Sequence, residues 1–118
     1  MRKRIVILCV FVFDLDLTLC TGKPYATAEP LTGAVEICQR LRSDGHIVII
    51  QTARGMGTAE GNPGVARANI AKLTLDRLER WGLEYDEIYF GKPSADIYVD
   101  DKACCSIMEL KENLYPGD

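Results

Sequence analysis

The chain reads as one α/β domain with a mainly parallel sheet, and three observations predict it. Short apolar, β-branched runs alternate with amphipathic helical stretches, each run ends in polar residues, and 118 residues leave room for a single core. A buried parallel strand is a continuous apolar run, and strands separated by helices are the signature of βαβ units. At this length a domain buries roughly two thirds of the surface its unfolded chain exposes.

Ile5 to Phe13 is the first strand, an unbroken apolar run that stops at Asp14-Leu15-Asp16-Leu17-Thr18. Met1-Arg2-Lys3-Arg4 ahead of it imitates the start of a secretion signal. No small-residue cleavage site follows, and the run is far short of the roughly 20 residues a bilayer needs, so a membrane role is not expected. Residues 19–32 form a loop or hairpin flap, with Gly22, Pro24 and Pro30. Ala34 to Arg42 carries Val35, Ile37, Cys38 and Leu41 at helical spacing, with Thr32 as N-cap and Gly45 as stop. Ile47 to Ile50 is the second strand, leading into Gln51-Thr52-Ala53-Arg54. The glycine-rich loop 53–64 follows. Asn62-Pro63 then supplies a cap and a first-turn proline for a helix to Trp81 with Ile70, Leu73, Leu78 and Trp81 inward, and Gly82 ends it. Glu87 to Phe90 is a third strand before Gly91-Lys92-Pro93. Ile97-Tyr98-Val99 is a fourth, ending in Asp100-Asp101, and Ala103 to Glu112 is the last helix.

A charged fraction of 26% and a net charge of -3 leave no basic footprint for nucleic acid. The five cysteines have no C-x-x-C spacing, and free thiols in a reducing cytoplasm fit them. His46 precedes a strand, away from the polar strand ends, and reads as a surface or helix-packing residue.

The strand ends carry the chemistry. Asp14 and Asp16, Thr52 and Arg54, Lys92, and Asp100 with Asp101 all fall on the carboxyl edge of the expected sheet, where open α/β sheets place ligands. Each residue alone has a plain reading as a turn former, cap or solvated charge. Together they point to a cation site: four gathered carboxylates repel one another unless neutralised, and oxygen ligands with room for water and phosphate suit Mg²⁺. The expected ligands are Asp14, Asp16, Asp100 and Asp101, with a backbone carbonyl near Asp16 taking part. Lys92 would hold a phosphate, and Thr18, Thr52 and the backbone at Leu15 and Ala53 would bond its oxygens. A carboxylate can attack phosphorus to give an acyl phosphate, and a second carboxylate can protonate the leaving oxygen and then activate water.

Asp14-Leu15-Asp16-Leu17-Thr18, Thr52, Lys92-Pro93 and Asp100-Asp101, in this order over nearly the whole chain, resemble the four motifs of the haloacid-dehalogenase-like phosphohydrolases. The resemblance implies a Rossmann-like, three-layer α/β/α fold. It implies Asp14 as nucleophile, Asp16 as general acid/base, Thr52 and Lys92 on the phosphoryl group, Asp100 on Mg²⁺, and Asp101 acting through water or on Lys92. Leu17 stands where the family often has glycine or asparagine. Pro30-Leu31-Thr32, Gly45-His46, Thr52-Ala53-Arg54-Gly55-Met56 and Phe90-Gly91-Lys92-Pro93 further resemble small members tied to bacterial capsule or surface polysaccharide synthesis, which implies a sugar phosphate.

Substrate choice in that family comes from an inserted cap domain. Loops 19–32 and 53–64 are too short for one, so the site is expected to be open, covered by a bulky substrate or by a second subunit of a homo-oligomer. Arg54 and loop 53–64 are candidate substrate contacts, against the plain reading of a long surface connection; Lys23 and Tyr25 are weaker ones. The expected activity is therefore a Mg²⁺-dependent phosphatase acting on a small phosphorylated metabolite. A polynucleotide-end phosphatase and a non-catalytic module of the same fold remain as alternatives.

Overall fold

The computed structural model describes residues 7–104 and 106–117. Its order is β1 (Val10–Asp14), a 3₁₀ turn (Tyr25–Thr27), α1 (Ala34–Ser43), β2 (Ile47–Thr52), α2 (Pro63–Trp81), β3 (Glu87–Phe90) and α3 (Ile107–Leu114). The strands form one parallel sheet in the order β1-β2-β3, with Phe13 opposite Ile50 and Ile50 opposite Ile88. This is the expected α/β domain with a parallel sheet, and β3 has the bounds expected for it.

Helix ends follow local chemistry. The Asn62 side chain accepts the Val65 N–H at 3.1 Å, with Pro63 in the first turn, and Gly82 closes α2 at φ 71°. Helix α1 begins after Gly33 rather than Thr32: Gly33 sits at φ 86°, which a β-branched residue adopts only with strain. Helix α3 starts later than expected, at Ile107, because the Ser106 hydroxyl accepts the Glu109 N–H and caps it there. Ala103 and Cys104 lie outside the helix.

Two expectations about strands are corrected. Strand β1 starts at Val10, so Ile7 to Cys9 precede it, while Ile5 and Val6 fall outside the described residues. Ile97-Tyr98-Val99 is not a strand. Ile97 is 79% exposed and Val99 94% exposed, and the Tyr98 hydroxyl donates to the Pro93 carbonyl of its own loop. Three apolar residues between Asp96 and Asp100 offer few ladder bonds against the cost of ordering the segment.

The core lies on one face of the sheet. Phe13, Val48 and Ile50 point into it with Ile37, Cys38 and Leu41 of α1, Leu78 of α2, Ile107 of α3 and Tyr115 beyond it. Both crossovers step the same way along the sheet, and right-handed crossovers then put α1 and α2 on the same side. The alternate residues face outward, with Val10 58% and Val12 53% exposed. Among the described residues the arrangement is therefore two layers, not the expected three, since α3 packs against α1 rather than across the sheet. On α2, Leu78 is buried as expected, joined by Ala66 and Thr74, while Ile70, Leu73 and Trp81 are half-buried. His46 packs on strand β1 rather than on a helix: its Nδ1 accepts the Cys9 N–H at 3.0 Å, and its ring meets Phe11 edge-on.

Candidate active site

The site begins where β1 ends. Asp14 closes the strand, and the chain then folds back on itself: the Leu15 carbonyl accepts the N–H groups of Thr18, Leu19 and Cys20 at 3.3, 2.9 and 3.3 Å. Leu17 takes φ 66° at the tip, a conformation that glycine or asparagine adopts more readily. The Leu15 side chain is fully buried, so only its backbone remains to meet a ligand.

This turn presents both aspartates on the same edge as the end of β3. The Thr18 hydroxyl lies 3.4 Å from Asp14 Oδ2, and Lys92 Nζ lies 3.2 Å from Asp14 Oδ1. Lys92 is brought there because the Thr52 carbonyl at the end of β2 accepts the N–H groups of Gly91 and Lys92, both at 3.1 Å. Its ammonium also sits 3.9 Å from the Tyr98 ring centroid. Thr52 is buried, and its Oγ1 accepts the Arg54 N–H at 3.0 Å. The Ala53 carbonyl accepts the Met56 N–H at 2.9 Å, which curls the following loop.

Arg54 is the surprise of the site. Expected as a substrate contact, it is 1% exposed and turned inward. Its Nε lies 3.1 and 3.0 Å from the two Asp16 oxygens and its Nη2 lies 2.8 Å from Asp16 Oδ1, a forked contact on one carboxylate. Nη1 donates to Thr74 Oγ1 at 3.2 Å, and the guanidinium carbon lies 4.2 Å from the Tyr25 ring centroid. Arg54 thus spends its donors on Asp16 and Thr74, as a buried arginine must spend them on protein acceptors. Tyr25 serves as its stacking partner. Burial, reinforced by the negative Asp16 and opposed by Arg54, pushes the Cys20 thiol up to about 12, so Cys20 stays protonated beside the pair.

Thr74 and Cys20 belong to this constellation and were not singled out from the sequence. Thr74 had a signal: it is the polar member of the stripe Ile70, Thr74, Leu78, spaced by four along the inward side of α2.

Asp100 and Asp101 form no ligand cluster with Asp14 and Asp16 among the described residues. Both are exposed in the segment that follows residue 99, and Asp100 Oδ1 accepts the Lys102 N–H at 2.8 Å. Among the described residues no group of three or more His, Cys, Asp or Glu side chains could hold a metal ion. The expected four-carboxylate set is thus not assembled. Here Lys92 offsets Asp14 and Arg54 offsets Asp16, and the residues as placed do not fit a Mg²⁺ site.

Two loops border the aspartates. Residues 19–32 form a small hairpin flap in which Thr21 N–H donates to Glu29 O at 2.8 Å and Leu31 N–H to Leu19 O at 2.9 Å. Arg77 of α2 anchors it through the Ala28 carbonyl at 2.9 Å. The expected loop 53–64 ends at Asn62, since Pro63 and Gly64 open α2; it is a run of turns, closed by Gly61 N–H donating to Met56 O at 2.9 Å.

No family model matches the chain. Two curated proteins from Clostridium botulinum, strains Loch Maree and Hall, both named cell division protein DivIB, are 25% and 24% identical to it over 119 residues. The alignment covers 93% of this chain and 46% of each relative, so the chain spans less than half their length. A solved structure, a structural-genomics target from Vibrio cholerae, superimposes with a TM-score of 0.77 at 27% identity, over 89% of this chain and 95% of that one. The small α/β arrangement is thus shared with a known structure along most of the chain.

Proposed function

We propose that this protein is a phosphatase that hydrolyses a phosphate monoester, with Asp14 as nucleophile. The observation that carries the reading is the meeting of Lys92 and Asp14 at 3.2 Å, across 78 positions of sequence, at the carboxyl edge of a parallel sheet. An ammonium beside the attacking carboxylate reduces its repulsion with a phosphate dianion. The resemblance of the four sequence motifs to haloacid-dehalogenase-like phosphohydrolases supports the same assignment.

In the first step an Asp14 oxygen would form a bond to phosphorus while the bond to the ester oxygen breaks, and the departing alkoxide takes a proton. In the second, water attacks the acyl phosphate and gives up a proton, releasing phosphate and restoring Asp14. Asp16 is the group for both proton movements. Its forked contact with Arg54 is that of an acceptor, so the second step starts from the arrangement described, whereas the first asks Asp16 to enter carrying a proton. Thr18 supplies a hydroxyl 3.4 Å from Asp14 Oδ2, whereas the Thr52 hydroxyl is buried and accepts the Arg54 N–H. A Mg²⁺ ion would need Asp100 to gather with Asp14 and Asp16, which it does not do among the described residues.

A second reading, a non-catalytic binding module, is favoured by one feature: Lys92 and Arg54 already satisfy both aspartates. Phosphate release from sugar phosphates, nucleotides and 3′-phosphorylated oligonucleotides, each with Mg²⁺ and with EDTA, separates the two. The enzyme reading expects release from at least one ester. It expects Asp14→Asn to lower turnover by at least about 10³-fold while the protein stays folded. No release from any ester with Mg²⁺ present would leave the binding module standing.

A further inference from the structure

Beside Lys92 lies a cavity of about 480 Å³ between loop 53–64 and the residues after β3. Its walls are fixed by the backbone. Gly61 N–H donates to Met56 O at 2.9 Å, and Asn62 N–H donates to Ala59 O at 3.0 Å. Gly91, at φ 105°, lies so close to the first turn of α2 that a Cβ there would come within 2.7 Å of Pro63 Cβ. Two of its lining residues, Gly91 and Pro93, flank Lys92 in the chain, and the Lys92 ammonium reaches Asp14 at 3.2 Å.

The lining is specific in its chemistry. Met56, Pro63 and Pro93 provide carbon surfaces, Ser94 a hydroxyl, and Glu60 a carboxylate. Glu60 is one of two non-glycine residues at positive φ among those described, at 54°. A residue held in this region costs of order 1 kcal/mol or more, and such outliers gather at ligand sites. The lining has no lysine or arginine, so the solvent-exposed Glu60 is its one charged residue.

Building on the phosphatase reading, we propose that Glu60 is a charge filter for the leaving group. It accepts hydrogen bonds from a neutral, polyhydroxylated skeleton resting on the two prolines, and it rejects esters that carry a second anionic group. A carboxylate or a further phosphate placed in this cavity would face Glu60 without a compensating cation. Two like charges about 6 Å apart at an effective dielectric constant of about 40 correspond to about a tenfold discrimination. The same filter disfavours a polynucleotide end, whose next phosphodiester would enter the cavity.

The test compares sorbitol 6-phosphate with 6-phosphogluconate, open-chain esters that differ in one terminal group, a hydroxymethyl against a carboxylate. The wild-type protein is expected to favour the first by about tenfold in kcat/KM, Glu60→Gln to bring the ratio to within about threefold of unity, and Glu60→Lys to reverse it. An unchanged ratio in both variants would overturn the proposal. Release of phosphate from p-nitrophenyl phosphate reports on the phosphatase reading separately. If no ester is hydrolysed, calorimetric titration of the two compounds still decides: equal binding by wild type and Glu60→Lys rejects the filter, and a charge-dependent difference supports it.

Discussion

Asp16 and Arg54 show how much one side-chain pair decides. The carboxylate keeps a quarter of its side-chain surface in solvent while the guanidinium has none, so cutting Arg54 back strands a charge at the edge of the core. Arg54→Met is expected to lower unfolding stability by about 3 kcal/mol in urea denaturation, and Arg54→Lys by less, because the ammonium keeps the charge and loses the fork. A loss below about 0.5 kcal/mol for Arg54→Met would mean that the pair contributes nothing net. That Asp14 and Lys92 share an edge was legible because each follows an apolar run, and the ends of parallel strands lie side by side. The inward turn of Arg54 was not legible. It depends on Thr74, twenty positions later on another element, and on Tyr25 in the flap.

At the level of elements, the joints between strands and helices carry testable strain and charge. Gly91 combines φ 105° with a close approach to Pro63. Gly91→Ala is expected to destabilise by about 1–3 kcal/mol, and the thermal midpoint checks it. Asp86 ties three elements together: its Oδ2 accepts the Val48 N–H at 2.8 Å and its Oδ1 accepts from Arg42 Nε at 3.1 Å. The Val48 N–H, helped by Arg42 and opposed by partial desolvation, holds the Asp86 carboxyl below its ordinary 3.8. With the folded value below the unfolded one, the stability this carboxylate adds is complete above 3.8 and is lost as pH falls through the lowered folded value. The denaturation midpoint of the wild type should therefore drop more between about pH 4 and pH 2 than that of Asp86→Asn; parallel curves would contradict this. Element positions were legible wherever capping chemistry was local, as at Asn62 and Gly82. Gly33 displaced Thr32 as the cap because the turn into α1 needs a left-handed residue.

Among the described residues the molecule is a sheet with one dressed face. Burial on that face sorts the thiols: Cys20 and Cys38 are enclosed and pushed up to about 12 by burial, whereas Cys9 and Cys104 are exposed. Iodoacetamide at neutral pH should label Cys9 and Cys104 first and leave Cys20 and Cys38 unmodified until the protein unfolds, as read by peptide mass spectrometry. Early labelling of Cys38 would contradict the packing of α1 on β2. The other face, with Val10, Val12 and Tyr89, is open among the described residues, and Ile97 to Val99 stay off the sheet.

The amino-acid sequence by itself determined the class of the domain, the parallel direction of its strands and the edge at which polar residues gather. These follow from local periodicity, and a strand or helix declares itself within a dozen residues. Only the tertiary structure decided which cation meets which aspartate, that Arg54 turns inward, that the described helices share one face, and that the four carboxylates do not gather. Such pairings join residues tens of positions apart. They are set by how whole elements pack and by whether a three-residue run gains enough from a sheet edge to offset its ordering, and neither is written in any single stretch of the chain.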